Sequence, residues 1–210
     1  MKKVLILTAG FGEGHNAAAR HLRDALELIS PDTQVEVLDL FESTYGRLNA
    51  LVKRAHLGVV RYAPTLWRGI YTLLDHVSVA DSGVGGLTRL RTALGDVLRV
   101  TQPDVVVSTY PAYAPVIKEL FRDHSEKPFR LVTIVTDSIS VNAAWHRAPS
   151  DAFVVANRPT ATVLSAAGVQ PNIIHPLGFP VSPVFADAKL VPVPLTDEGP
   201  IKLLYVVNHG

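Results

Sequence analysis

The sequence predicts an α/β fold: a doubly wound, mainly parallel sheet with helices on both faces. Three observations predict it. Short apolar runs alternate with longer stretches of helical periodicity, the pattern of repeated βα units. Several runs are continuous and β-branched, as in "DVVVS" at residues 104–108, which fits strands covered on both sides. The first junction, "KKVLILTAGFGEGHNAAARHL", passes from an apolar run through three glycines into an alanine-rich helical run.

Taken in order, Val4–Leu7, Val35–Leu38, Val105–Val107, Leu131–Val135, Phe153–Val155 and Ile173–Ile174 read as strands. The intervening stretches His15–Ile29, Leu87–Val100, Ala114–His124 and Thr160–Ala167 read as helices. Residues 44–80 interrupt the rhythm and predict a helical insertion of two helices split near Pro64. A proline-rich stretch, with Pro180, Pro183, Pro192, Pro194 and Pro200, reads as an extended linker over 179–200. "IKLLYVVNHG" then starts again as a strand entering a glycine turn. The expected organisation is therefore one domain over 1–178, a linker over 179–200, and over 201–210 the first strand of a second doubly wound domain whose remainder is missing.

Composition narrows the function. The 210 residues carry 48% hydrophobic side chains, enough for a sizeable core. A formal net charge of +1 gives no overall attraction to nucleic acid. The absence of cysteine removes disulfides and thiolate metal sites. No signal peptide and no apolar run of membrane-spanning length is visible, so a cytoplasmic protein is expected.

The glycine loop, with Gly10, Gly12 and Gly14, is the main functional signal. A strand, a glycine turn and a helix start present backbone N–H groups to an anion. A P-loop needs lysine and then serine or threonine after the last glycine, but His15 and Asn16 follow it. The dinucleotide fingerprint needs glycine where His15 stands, although Asp39 occupies the place of a ribose-binding acid. A third reading is a loop that presents His15 as a catalytic base. The helix dipole disfavours its cation, and a neutral imidazole accepts a proton near pH 7.

Further motifs join this loop. They are "VVVSTYPAYAPV" with Pro111, "TIVTDSISVNAAWHRAPSDAFVVAN" with Thr136, Asp137 and Trp145, "RYAPTLWRGIYTLLD", and "PLGFPVSPVF". Together, over nearly all of residues 1–190, they resemble the monogalactosyldiacylglycerol synthases and processive diacylglycerol glucosyltransferases. The resemblance implies the Rossmann-like N-terminal, acceptor-binding half of a GT-B glycosyltransferase. It implies inverting, metal-independent transfer of a hexose from a UDP-sugar to diacylglycerol or a related glycolipid, with no cofactor. The sequence departs from the plant-type pattern at Asn142, Ala143 and Ala144, at Tyr110 where histidine is common, and at Ser182 in place of arginine.

Under this resemblance His15 and Asp137 are the two candidates for the catalytic base. Gly12, Gly14, Asn16, Pro111, Thr136 and Trp145 are expected to bind substrate, with Trp145 as an aromatic contact to the acceptor. The insertion mixes Lys53, Arg54, Arg61 and Arg68 with Trp67 and aliphatic residues, which suits a helix lying on an anionic bilayer. The expectation is peripheral association with the inner face of the cell membrane, and no transfer by this fragment without a donor-binding half. A dinucleotide-dependent oxidoreductase and a non-catalytic lipid-binding module are the alternatives.

Overall fold

The computed structural model describes residues 1–11, 13–46, 86–124 and 126–186. Six strands form one all-parallel sheet: β1 (Lys3–Thr8), β2 (Gln34–Asp39), β3 (Val105–Ser108), β4 (Arg130–Ile134), β5 (Ala152–Val155) and β6 (Ile174–Pro176). Their order is β2-β1-β3-β4-β5-β6. The helices are α1 (Glu13–Ile29), α2 (Gly86–Thr101), α3 (Tyr113–Leu120) and α4 (Arg158–Ala166), and residues 40–46 are also helical.

Strand chemistry follows position in the sheet. β1 and β3 are central, and the side chains from Leu5 to Thr8 and from Val106 to Ser108 are buried. β2 is an edge, so "QVEVLD" alternates and leaves Gln34 and Glu36 exposed. β6 is the other edge, where Pro176 lacks the N–H that a further strand would need.

The two faces have different covers. Leu5, Leu7, Val106 and Leu131 pack with Leu90, Leu94, Ala114 and Ile117 from α2 and α3. Ile6, Val107 and Ile134 pack on the opposite face with Ala19, and Leu22 and Leu26 border them. Ala18, Leu22 and Leu26 recur at four-residue spacing, which gives α1 one apolar stripe. A third cluster joins Phe153, Val155 and Ile174 to Leu164 of α4 and to Trp145.

All six sequence-predicted strands are present, with small shifts. Ile173 belongs to a 3₁₀ turn, and the last strand starts at Ile174. α3 ends at Leu120, four residues short of the predicted His124, and residues 121–124 form turns. The described start of the insertion, residues 44–46, continues a helix that begins at residue 40. Its predicted pair of helices, and the second-domain strand over 201–210, lie outside the described residues. After β6 the chain turns at Gly178, whose φ of +102° is one that side chains rarely adopt. It then returns to α1, where His21 Nδ1 lies 3.1 Å from the Pro180 carbonyl.

Candidate active site

In open α/β sheets, ligands bind beyond the carboxyl ends of the strands where the strand order reverses. Here the reversal falls between β1 and β3, because β2 lies to one side of β1 and β3 to β6 lie to the other. The loops leaving β1, β3 and β4 meet at this edge, and each supplies part of one cluster.

His15 arrives from the first turn of α1. Asn16 ties that turn to the strand before it, accepting a 3.0 Å hydrogen bond at Oδ1 from Thr8 Oγ1. The loop after β3 is fixed to β1 through Thr109, whose N–H donates to the Leu7 carbonyl at 2.9 Å. Tyr113 locks three elements together. Its hydroxyl donates to the Thr8 carbonyl at 2.7 Å and accepts from the Leu40 N–H at 3.1 Å. Burial, above all, pushes the Tyr113 phenol far above its ordinary pKa, so it stays a donor at any working pH.

These restraints aim the Thr109 carbonyl at His15. Nδ1 lies 2.9 Å from that oxygen and 2.8 Å from Thr136 Oγ1. A carbonyl can only accept, so Nδ1 carries the proton and donates it. The second ring nitrogen, Nε2, then holds the free lone pair. Burial is the largest influence on the imidazole and pulls its pKa below the usual value. The Thr109 carbonyl and the Asp137 carboxylate act in the opposite sense but do not overcome it. His15 is therefore neutral near pH 7, with a fixed tautomer and a proton-accepting nitrogen.

Asp137 follows β4 and lies close enough to favour a charged His15. Its Oδ2 accepts from the Trp145 indole N–H at 2.9 Å and from the Asn142 N–H at 3.4 Å. Asn142 in turn caps the 3₁₀ turn Ala143–Trp145, accepting from the Ala144 N–H at 2.9 Å. Trp145 is only 1% exposed and belongs to the core cluster of α4 and β5. A side chain so buried presents no face to an acceptor, which corrects the expectation of a direct contact. Its indole ring instead sits beneath His15, at 6.0 Å between centroids, and its N–H holds Asp137.

The remaining predicted residues are distributed as follows. Pro111 lies partly buried in the turn between β3 and α3, on the same edge. Gly14 lies in the first turn of α1, and a Cβ added there meets no atom within 4 Å. Gly12, Lys53, Arg54, Arg61, Trp67 and Arg68 lie outside the described residues. Asp39 accepts from the Gly10 N–H at 2.8 Å and the Glu42 N–H at 2.9 Å, so both oxygens hold the chain around the glycine turn. That use counts against a ribose-binding role. Thr109 and the aromatic group around Tyr110 were not singled out from sequence. A main-chain acceptor has no sequence signal of its own.

Two larger cavities, of about 820 and 860 Å³, open elsewhere, the first at the amino ends of β3 to β5 and the second between α2 and α3. Several of their cations are already paired, Lys127 with Asp151 and Arg91 with Glu119. Neither gathers a set of groups comparable to the His15 cluster. Among the described residues no group of three or more metal-ligating side chains converges, and no helix is long and apolar enough to cross a membrane.

The fold and cluster define a doubly wound α/β domain with a neutral imidazole held at its switch point. Comparison with known proteins gives its family. The model of the monogalactosyldiacylglycerol (MGDG) synthase family matches residues 15–181, and the chain belongs to that family. It is 30% identical to a chloroplastic monogalactosyldiacylglycerol synthase of Spinacia oleracea, over 88% of this chain and 36% of the relative. It is 31% identical to the uncharacterized glycosyltransferase YkoN of Bacillus subtilis (strain 168), over 86% of this chain and 48% of the relative. A processive diacylglycerol beta-glucosyltransferase of Staphylococcus aureus (strain MRSA252) is 24% identical, over 88% of this chain and 46% of the relative. The chain thus spans between about a third and a half of the length of these relatives.

Proposed function

We propose that this chain is the acceptor-binding half of a GT-B glycosyltransferase that moves a hexose from a UDP-sugar to diacylglycerol or a related glycolipid. The observation that carries the reading is the state of His15: neutral, with Nδ1–H donated to Thr109 and Nε2 free, at the sheet's switch point. The lipid acceptor is taken from the names of the relatives.

In this mechanism the acceptor hydroxyl lies against Nε2 of His15. As the oxygen attacks the anomeric carbon from the face opposite UDP, its proton passes to Nε2 and the configuration inverts. The Thr109 carbonyl and Thr136 Oγ1 hold the ring and stabilise the imidazolium that forms. Asp137 adds a favourable charge nearby while Trp145 and Asn142 keep it in place. The leaving UDP is bound by a second half, which the greater length of the relatives can accommodate, and no metal takes part. The glycine loop lets the donor's diphosphate approach the start of α1 when the halves close. Residues 44–80 place the enzyme on the inner face of the membrane, where the acceptor resides.

The test is a transfer assay on the full-length gene product, with UDP-glucose or UDP-galactose and diacylglycerol vesicles. A glycolipid product is expected. Lipid binding without transfer would instead support the non-catalytic module.

A further inference from the structure

Tyr110 and Tyr113 stand three residues apart at the carboxyl edge, Tyr110 in the turn and Tyr113 at the start of α3, and their hydroxyls are used differently. Tyr113 bonds to Thr8 and Leu40 and closes the core. The Tyr110 hydroxyl makes no hydrogen bond with the described residues, although its main-chain carbonyl accepts from Ser108 Oγ at 2.7 Å. Tyr110 is only partly buried, and its O–H is left open to a partner from outside the fold.

The surroundings of Tyr110 are specific. Its ring stacks on Phe11 of the glycine loop at 5.6 Å and 24°. It meets Phe41 edge-on at 5.3 Å and His15 edge-on at 5.1 Å. Phe11, Tyr45 and Tyr110 all keep part of their surface exposed. The result is an aromatic patch with one free hydroxyl, directly beside the proposed base. Burial, aided by the Asp39 carboxylate, raises the phenol to a pKa of about 12, so at neutral pH the group is an O–H donor.

We propose that the Tyr110 hydroxyl is an acceptor-binding group that donates a hydrogen bond to an oxygen of the glycerol or sugar headgroup, while the rings around it take the adjoining apolar part. An amphiphile with an oxygen next to hydrocarbon matches this pairing of a lone O–H with aromatic faces. A nucleotide donor would instead ask for cations or backbone N–H groups. The inference rests on the lipid-acceptor reading given above.

The test compares the wild-type chain with Tyr110→Phe, by co-sedimentation with phosphatidylcholine vesicles made with and without diacylglycerol. Wild type should bind the diacylglycerol vesicles more tightly. In the variant that added affinity should fall about 2- to 12-fold, the value of one neutral hydrogen bond, while binding to plain vesicles stays the same. The thermal midpoint should not fall, because the hydroxyl has no internal partner to lose. A clear drop in midpoint, or an undiminished diacylglycerol increment, overturns the role given to Tyr110. No increment in wild type overturns the acceptor reading, and this inference with it.

Discussion

At the scale of single residues, the site depends on where a few polar atoms are held rather than on how many there are. His15 is constrained by a main-chain carbonyl and a threonine hydroxyl, so its tautomer does not depend on a carboxylate partner. Gly14 shows a different economy. It lies inside a helix turn, where glycine is about 0.5–1 kcal/mol less favourable than alanine, and no neighbouring atom excludes a side chain. No described neighbour outside its own helix requires glycine there, and the proposed function supplies a reason, close approach of the donor. Gly14→Ala should therefore raise stability by up to about 1 kcal/mol and lower kcat/KM for the UDP-sugar in the full-length enzyme. Thermal melts and donor kinetics check both halves; a stabler variant with unchanged donor kinetics would remove the ligand from the account.

At the scale of elements, Asp151 links three neighbours ahead of β5. Its Oδ2 accepts from the Leu131 N–H and from Lys127 Nζ, each at 2.6 Å, and Arg130 lies nearby. Burial works against its charge, but these partners outweigh burial and hold the carboxyl below its usual range. The folded state thus binds the proton less readily than the unfolded state. The stabilisation is fully present above the unfolded pKa of about 4 and is lost as pH falls through the depressed folded value. Asp151→Asn should cost about 1–3 kcal/mol at pH 7, and the gap from wild type should narrow in denaturant melts below pH 4. A gap that stays constant with pH would assign the loss to packing alone.

The same scale shows what could be read in advance. The strands were legible because "VVVS" and "KVLILT" are continuous apolar runs, a pattern that burial on both faces enforces. β6 was less so, since His175 and Pro176 look like loop residues and are tolerated only because the strand is an edge. The end of α3 was overestimated because Phe121 continues the apolar pattern, yet it packs edge-on against Phe129 from outside the helix. In the site, His15, Thr136 and Asp137 were visible as residue types in motifs. The Thr109 carbonyl and the burial of Trp145 were not, because both are products of tertiary packing.

At the scale of the whole molecule, the proposed acceptor half meets a membrane surface and a donor half. The basic and aromatic residues of 44–80 are proposed to make the first connection. Binding to anionic vesicles should weaken as salt rises, because exposed charges are screened within about 10 Å at 0.1 M ionic strength. Arg61→Glu combined with Arg68→Glu should weaken it further, by about 1 kcal/mol for each basic residue removed. Sedimentation that does not change in the double variant would make those arginines an ordinary solvated surface.

The central claim is that His15 takes the acceptor proton, and it concerns the assembled enzyme. The most direct test measures kcat as a function of pH for wild type, His15→Ala and Asp137→Asn in the full-length protein. Loss of a general base should lower kcat about 10²- to 10⁴-fold in His15→Ala with the fold intact. In wild type, the fall of kcat at low pH should be centred below the ordinary imidazole value of about 6.5, because burial depresses the imidazole pKa and protonation removes the Nε2 lone pair. Asp137→Asn should retain a measurable rate and lower the pKa of that decline, since the lost carboxylate favoured the charged ring. Near-normal kcat in His15→Ala, with activity abolished in Asp137→Asn, would contradict the account and make Asp137 the base.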